Sequence, residues 1–460
     1  MHPGPEDGGA YGGSRLTSEV EPSPLAFDGR GDVFAPVQDG AEPAAVDLRI
    51  LDAIGDEAEW MADVLAALVR APTTLGNEEA GQVVVRAALR EIGLEPVDVP
   101  MDAAVLRASP DASPFDWDVD GKHNVVATWG PGSAADGRSL ILNGHIDVVS
   151  PEPISQWGGR HPFSGDREDG WLYGRGSADM KCGLAAILGA VKALKRLGFT
   201  PRAPIHLESV VEEECTGNGT LQTLLSGYHA DAAVVAEPFG AAITTAQVGV
   251  LWFNVRITGI PGHAAEGRNA VNAIEQSLLV INALRVLEAE SNVSPPAPFD
   301  LFGHPINLNV GEIHGGDWAS TVPGWCTTHY RIAAYPGTSM DELKARIERV
   351  VAAATEDHPG EAALLYSGFS CEGYVIPDDA PLVTSLAEAF TRQAGNPPAL
   401  VATTGTTDAG VFGRAGVPAV CFGPYAEQAH GIGERVYLPS VIQTAQVMGL
   451  FIRDWCGLSE

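Results

Sequence analysis

Two stretches of the sequence place a histidine or a carboxylate directly after a short apolar run. Gly144-His145-Ile146-Asp147 follows Leu140-Ile141-Leu142, and Glu237 follows Val234-Val235-Ala236. Such runs predict buried parallel strands, and sites in open α/β sheets lie at the carboxyl ends of these strands. A histidine ligand with a carboxylate that orients it is typical of a metal centre. A strand-end histidine in a polar loop, and a loop glutamate before a proline, are the structural alternatives.

Three further stretches carry similar groups. Asp179 ends a glycine-rich stretch before an apolar helix, Glu212-Glu213-Glu214 follows a predicted strand, and His430 lies in a glycine-rich loop after the strand that ends at Phe422. Each also has a structural interpretation, namely an N-cap, a solvated acidic turn and an exposed loop histidine. Consecutive carboxylates cost free energy unless they are solvated or neutralised by a cation. Four predicted strand ends that deliver such groups to one sheet edge favour a metal site.

Composition limits the classes of partner. The chain has 28 Lys and Arg against 59 Asp and Glu, a formal net charge of −31, which disfavours nucleic acid and anionic membrane surfaces. We find no apolar run long enough to span a bilayer and no signal-peptide pattern. The six cysteines form no C-x-x-C pair, so we expect no disulfide framework and a cytoplasmic location.

The elements that must position these groups follow an α/β pattern. Residues 1–46 are rich in Gly and Pro and predict a flexible extension. From residue 47, helices alternate with strands, which predicts an α/β domain with a mostly parallel sheet over 47–247 and 369–460. A chain of 460 residues is long enough for more than one core.

A second unit is predicted between the two parts of this α/β domain. Residues 248–368 read in the order strand, helix, strand, strand, helix, strand. This is the ferredoxin-like βαββαβ arrangement, and its length suits a compact inserted domain.

Together, these stretches resemble the co-catalytic zinc amidohydrolase and peptidase family that contains acetylornithine deacetylase, succinyl-diaminopimelate desuccinylase, aminoacylase and carboxypeptidase G. The features that match, in chain order, are Gly144-His145-Ile146-Asp147, Gly174-Arg175-Gly176 leading into Asp179-Met180-Lys181, Glu213-Glu214, Glu237-Pro238 and His430. The resemblance extends from about residue 47 to the C-terminus and includes the inserted domain.

The resemblance implies two zinc ions per chain, with cobalt or manganese as substitutes. His145, Asp179 and Glu237 would hold one ion, and Asp179, Glu214 and His430 the other, so that Asp179 bridges them. Asp147 would be the partner of His145, and Glu213 the general base that takes a proton from the bridging water. Because the three glutamates are consecutive, an alignment shifted by one residue remains open, in which Glu212 is the base and Glu213 the ligand.

The resemblance also assigns roles in and near the inserted domain. His263 would reach the site of a partner protomer in a homodimer formed through this domain, and Arg331 would bind the substrate carboxylate. Asp408 resembles a residue that lines the site or supports the residues that line it, although a plain turn fits its sequence nearly as well. Cys182 stands where many relatives have glycine, and Ser320 where many have asparagine.

We therefore expect a zinc-dependent amidohydrolase, similar to acetylornithine deacetylase, that cleaves the amide of a small N-acylated amino acid or amine. A dipeptidase or carboxypeptidase would use the same site, and a non-catalytic binding protein on the same scaffold is a further alternative. A serine hydrolase has no support, since we find no G-x-S-x-G motif.

Overall fold

The computed structural model describes residues 44–133 and 136–459. The predicted flexible extension, residues 1–46, lies outside the described residues except for its last three. The described chain begins with an amphipathic helix at Ala45, two residues before the predicted start. In the part of the chain that the structure describes, no helix is long and apolar enough to cross a membrane.

Helices cover the faces of two sheets. The α-helices are α1 (Ala45–Gly55), α2 (Ala58–Arg70), α3 (Glu79–Ile92), α4 (Ala103–Ala108), α5 (Lys181–Arg196), α6 (Asn218–Leu225), α7 (Ala273–Ser291), α8 (Met340–Thr355), α9 (Pro381–Ala394), α10 (Asp408–Arg414) and α11 (Leu438–Cys456). The predicted apolar helix over 180–197 is α5, which is buried along most of its length.

The strands are longest in the second half of the chain. From the N-terminus they are β1 (Val97–Pro100), β2 (His123–Trp129), β3 (Leu140–His145), β4 (Asp166–Glu168), β5 (Trp171–Tyr173), β6 (Thr200–Pro201), β7 (Ile205–Val210), β8 (Ala233–Val235), β9 (Ala242–Gln247), β10 (Gly249–Thr258) and β11 (Gly262–His263). They continue with β12 (Leu308–Gly315), β13 (Thr321–Val322), β14 (Trp325–Ala334), β15 (Glu361–Leu365), β16 (Ser370–Cys371), β17 (Tyr374–Val375), β18 (Ala399–Thr403), β19 (Ala419–Cys421), β20 (Ala426–Glu427), β21 (Arg435–Tyr437) and β22 (Leu458–Ser459).

The fold is mixed α/β, and its larger sheet has mostly parallel strands at its centre. Its order is β1-β2-β7-β3-β8-β19-β9-β17, and β18 also pairs with β9. The four central strands, β7, β3, β8 and β19, run parallel, so their carboxyl ends meet at one edge. Antiparallel pairs occur toward the margins, between β1 and β2, β2 and β7, and β9 and β17. The parallel centre therefore positions the candidate site.

The smaller sheet is antiparallel and has the order β12-β14-β10-β15, with β16 paired to β10. α7 and α8 pack on it through a separate apolar core that includes Val280, Leu284 and Ile347. The chain passes from the larger sheet to the smaller one between β9 and β10, and it returns between β16 and β17. Two cores thus form, as the length of the chain leads us to expect.

Close packing brings α5 against the strand end that carries Glu237. A Cβ atom on Gly183, in the first turn of α5, would lie 2.0 Å from the main-chain oxygen of Ala236. Glycine at this position therefore lets the helix approach the sheet edge. Since Asp179 lies just before the start of α5, the same approach places Asp179 beside Glu237.

Candidate metal centre

His145 is the last residue of β3, and its side chain is buried. Its Nδ1–H donates to the main-chain oxygen of Asp147 at 2.9 Å, which leaves Nε2 facing the site. Nε2 lies 3.0 Å from Asp179 Oδ1 and 3.8 Å from both Glu213 Oε2 and Glu237 Oε1. The ring is therefore oriented to act as a ligand through Nε2.

Asp179 joins the two histidines. Its Oδ2 lies 3.2 Å from His430 Nε2, and the same nitrogen lies 3.0 Å from Glu214 Oε2. The five predicted ligands thus lie near one another. In each of two groups the possible ligand atoms lie within 4.8 Å of one another, His145 with Glu213 and Glu237 and His145 with Asp179 and Glu214, so the groups share His145 and include the predicted base Glu213.

Carboxylates, which repel one another when ionised, dominate this cluster. Burial raises the pKa of Glu237 well above its ordinary value, and the Asp179 carboxylate adds to the rise. Burial opposes protonation of His430, but its contacts with Asp179 and Glu214 outweigh this and raise its pKa to about 11. Among the described residues, the ion pairs of these carboxylates are with His145 and His430 and with no Lys or Arg.

The side chains fit a pair of divalent metal ions. Zinc binds histidine nitrogen and carboxylate oxygen at about 2.0–2.2 Å in tetrahedral sites, which puts neighbouring ligand atoms about 3.3 Å apart. The contacts around Asp179 and His145 span 3.0–3.8 Å, which brackets that spacing. Buried carboxylates with no Lys or Arg partner in the described chain also favour a bound cation.

The carboxylate of Asp147 does not bind the ring of His145 as the resemblance implies. Its Oδ1 is 3.7 Å from His145 Nδ1, and the closer contact of that ring is with the main-chain oxygen of Asp147. The carboxylate instead accepts hydrogen bonds from the backbone N–H groups of Glu213, at 3.2 Å, and Glu214, at 3.0 Å. Burial raises the pKa of Asp147 to about 7. Asp147 therefore links β3 to the loop that carries both glutamates.

Glu212 lies apart from the cluster. It is fully buried, and its Oε1 accepts hydrogen bonds from Lys122 Nζ at 2.6 Å and from Trp117 Nε1 at 2.8 Å. Glu213 and Glu214 line the cleft, whereas Glu212 does not. This geometry favours Glu213, rather than Glu212, as the base.

Glu434 supports the Asp179 loop and was not singled out from the sequence. Its carboxylate accepts hydrogen bonds from the backbone N–H groups of Gly176, Ala178 and Asp179 and forms a buried ion pair with Arg175. Arg175 also donates to the main-chain oxygen of His430 at 3.1 Å. The pair therefore connects the loops of two candidate ligands. The only sequence signal was that both residues lie within glycine-rich stretches that carry ligands.

A cavity of about 1090 Å³ opens above the cluster, between the two sheets. Arg331, on β14, lines this cleft, and its guanidinium donates to the main-chain oxygen of Thr404 at 3.4 Å. Burial lowers the pKa of Arg331. A mostly buried guanidinium opposite the candidate metal ligands can receive a substrate anion.

Four other residues singled out in the sequence lie away from the cleft surface. Asp408 is buried and accepts a hydrogen bond from Thr220 at 2.7 Å, so it lies beneath the cleft and does not line it. His263 is exposed on β11, where its Nδ1 accepts from the backbone of Ala265. Ser320 is exposed, and its main-chain oxygen accepts from Ala264 N–H. Cys182 is buried at the start of α5, and its Sγ donates to the main-chain oxygen of Ala178.

Sequence comparison identifies the family. Residues 141–454 match the model of peptidase family M20/M25/M40, and the chain belongs to this family of hydrolytic enzymes. The chain is 30% identical over 366 residues to N-formyl-4-amino-5-aminomethyl-2-methylpyrimidine deformylase of Bacillus subtilis, a match that covers 74% of this chain and 85% of the relative. It is 28% identical over 338 residues to acetylornithine deacetylase of Proteus mirabilis, covering 73% of this chain and 83% of that protein.

Structure comparison supports the fold. The crystal structure of human carnosine dipeptidase 1 superimposes with a TM-score of 0.72 at 15% identity, covering 89% of this chain and 99% of the dipeptidase. The two proteins therefore share the mixed α/β architecture.

Proposed function

We propose that the protein is a deacylase that hydrolyses the amide bond of a small N-acylated amino acid, with two zinc ions bound by His145, Asp179, Glu214, Glu237 and His430. The observation that carries this proposal is the convergence of these five side chains and Glu213 at one cleft, which all of them line except the buried His145. When bound, the metal pair supplies Lewis acidity toward the scissile carbonyl and lowers the pKa of water.

Glu213 moves the proton. Burial raises the pKa of its carboxyl group well above the ordinary value, against the pull of His145, and the Glu237 carboxylate raises it further. A carboxyl group with a raised pKa can take a proton from the attacking water and then donate it to the leaving nitrogen. Asp147 accepts a hydrogen bond from the backbone N–H of Glu213 and so helps to position this residue.

The cleft favours an N-acylated amino acid over a dipeptide. A dipeptide brings a free ammonium group, which needs an acidic partner. Of the carboxylates that line the cleft, four belong to the candidate metal centre, and Glu427 accepts from Arg435 and Tyr425. Arg331 offers the opposite charge and would bind the substrate carboxylate.

We further propose that residues 248–368 form an inserted ferredoxin-like lid through which two chains form a homodimer. The order β12-β14-β10-β15 with α7 and α8 suits this arrangement. Exposed apolar side chains on α7 and on the edge strand β12 support an interface; these are Leu278, Leu279, Val286 and Ile313. His263, exposed in this unit, would then reach the partner's site.

The described cysteines are compatible with a cytoplasmic location. All six, Cys182, Cys215, Cys326, Cys371, Cys421 and Cys456, are buried free thiols. We propose that the enzyme acts in a reducing compartment.

A panel of N-acetyl, N-formyl and N-succinyl amino acids, tested beside dipeptides on the zinc-loaded protein, tests the proposal. We expect release of the free amino acid from at least one N-acyl series, and loss of that release in Glu213→Gln. If only dipeptides are hydrolysed, the protein is a dipeptidase and not a deacylase. If no compound of the panel is hydrolysed, the proposal is overturned.

A further inference from the structure

Three neighbouring strands of the smaller sheet present a row of different side chains to the cleft. Trp252 on β10 is the cross-strand partner of Arg331 on β14, and Arg331 is the partner of Asn309 on β12. Directly paired residues of antiparallel strands project to the same face. All three line the cleft above the candidate metal centre, and we call Trp252, Arg331 and Asn309 the cleft row.

The indole at one end of the cleft row is held in place. Phe369 also lines the cleft, and its ring packs edge-on against Trp252, with centroids 5.5 Å apart and an interplanar angle of 71°. The backbone N–H of Trp252 also donates to the main-chain oxygen of Phe369 at 2.8 Å, which fixes the two residues beside each other. A Cβ on Gly368 would lie 2.4 Å from the indole, so only glycine leaves room for the ring there.

Each carboxylate that lines the cleft in the described part of the chain already has a role or a partner. Asp179, Glu213, Glu214 and Glu237 form the candidate metal centre, and Glu427 accepts from Arg435 and Tyr425. The side chains that the smaller sheet presents to the cleft are instead the indole of Trp252, the guanidinium of Arg331 and the amide of Asn309. An ammonium side chain would therefore be desolvated without a partner, at a cost in binding.

We propose that Trp252 and Phe369 form a subsite for an aromatic side chain, and that the substrate is an N-acylated aromatic amino acid whose carboxylate lies on Arg331. This inference rests on the proposed deacylase function and specifies its substrate class. A fixed indole face binds a planar apolar group through area burial and offset or edge contacts. An aromatic amine without a carboxylate would leave the Arg331 guanidinium desolvated and unpaired, which disfavours it.

Binding and turnover of three N-acetyl amino acids test the subsite. In the zinc-loaded Glu213→Gln variant, we expect calorimetry to show N-acetylphenylalanine bound about 10-fold or more tightly than N-acetylalanine or N-acetylornithine. Adding Trp252→Ala should abolish this preference, because it should weaken binding of N-acetylphenylalanine more than binding of N-acetylalanine. Trp252→Phe keeps an aromatic face and should retain most of the preference.

The outcomes separate this inference from the function on which it rests. Turnover of N-acetylalanine and N-acetylphenylalanine at equal kcat/KM, unchanged by Trp252→Ala, would overturn the aromatic subsite and leave the deacylase intact. Tighter binding of N-acetylornithine would also overturn it. If no N-acyl substrate is turned over, the proposed deacylase function is wrong. The aromatic subsite is then still tested by the binding preference and by its loss in Trp252→Ala.

Discussion

The carboxylate of Asp147 accepts a hydrogen bond from the backbone N–H of Glu214 at 3.0 Å. A second bond, from Glu213 N–H, makes Asp147 the common support of the candidate base and a candidate ligand. Asp147→Asn turns one acceptor into a donor that faces an N–H group. We expect metal affinity to fall about 10–100-fold, as for other groups that orient ligands.

Chelator competition measures that change, and the exposed Asp52→Asn variant is the matched control. Zinc affinity equal to that of the wild type in Asp147→Asn would show that the loop keeps its position without this contact.

A buried ion pair fixes the turn before the two glutamates. Lys122 Nζ lies 2.6 Å from Glu212 and 3.1 Å from Glu78, and all three side chains are nearly excluded from solvent. Lys122→Met would leave two buried carboxylates uncompensated, so we expect the free energy of unfolding to fall by about 3–5 kcal/mol. Urea unfolding measures this, with Lys344→Met on the surface of α8 as the control.

The double variant Lys122→Met/Glu212→Gln should lose less stability than the sum of the two single variants, because the substitutions remove both charges of one pair. Strict additivity would argue against a coupled pair.

Burial of Glu208, which is not a candidate metal ligand, predicts a pH dependence of stability. Burial raises the pKa of its carboxyl group to about 8, against hydrogen bonds from Asn143 and Thr223. Between its ordinary pKa and about 8, the folded state holds a proton that the unfolded state releases. Stability from this group is therefore present at low pH and is lost as pH rises through that window.

Glu208→Gln keeps a neutral side chain at every pH, so its unfolding free energy should decline less between pH values of about 5 and 8. Urea titrations across this range, with exposed Glu95→Gln beside it, measure the difference. Parallel curves for wild type and Glu208→Gln would show that Glu208 is ionised in the folded protein.

The position of Arg331 in the cleft predicts that substrate binding depends on the substrate carboxylate. Its guanidinium is mostly buried and has no carboxylate partner within ion-pair distance among the described residues. Arg331→Met should lower kcat/KM for an N-acetyl amino acid by about 10²-fold, because a charged hydrogen bond contributes about 1.5–3 kcal/mol. The corresponding N-acetyl amine, which lacks the carboxylate, should show little change. An equal loss for both compounds would assign Arg331 a structural role.

The sequence predicted the parts of the site that depend on local pattern. Apolar runs predicted β3, β7 and β8, and because their carboxyl ends meet, His145, Glu213 and Glu237 were expected together. β9 was not predicted, because Ala242–Gln247 mixes small and polar residues and shows no clear alternation. The antiparallel margins of the larger sheet were also missed, since strand direction follows from connections and not from periodicity.

Contacts between distant residues could not be predicted in this way. Lys122 and Glu212 are 90 positions apart, and Asp147 and Glu214 are 67 apart, so no local pattern specifies that they meet. The contact that holds Asp408 could not be predicted either. α10 begins at Asp408, and its carboxylate accepts a hydrogen bond from Thr220, 188 positions away.

The position of bound metal tests the central claim most directly. Anomalous X-ray diffraction at the zinc edge, from crystals of the zinc-loaded protein, should show two peaks per chain that share Asp179 as a ligand. One peak should lie between His145 and Glu237 and the other between Glu214 and His430. No peak at these side chains, or a single peak that excludes either histidine, would contradict the account.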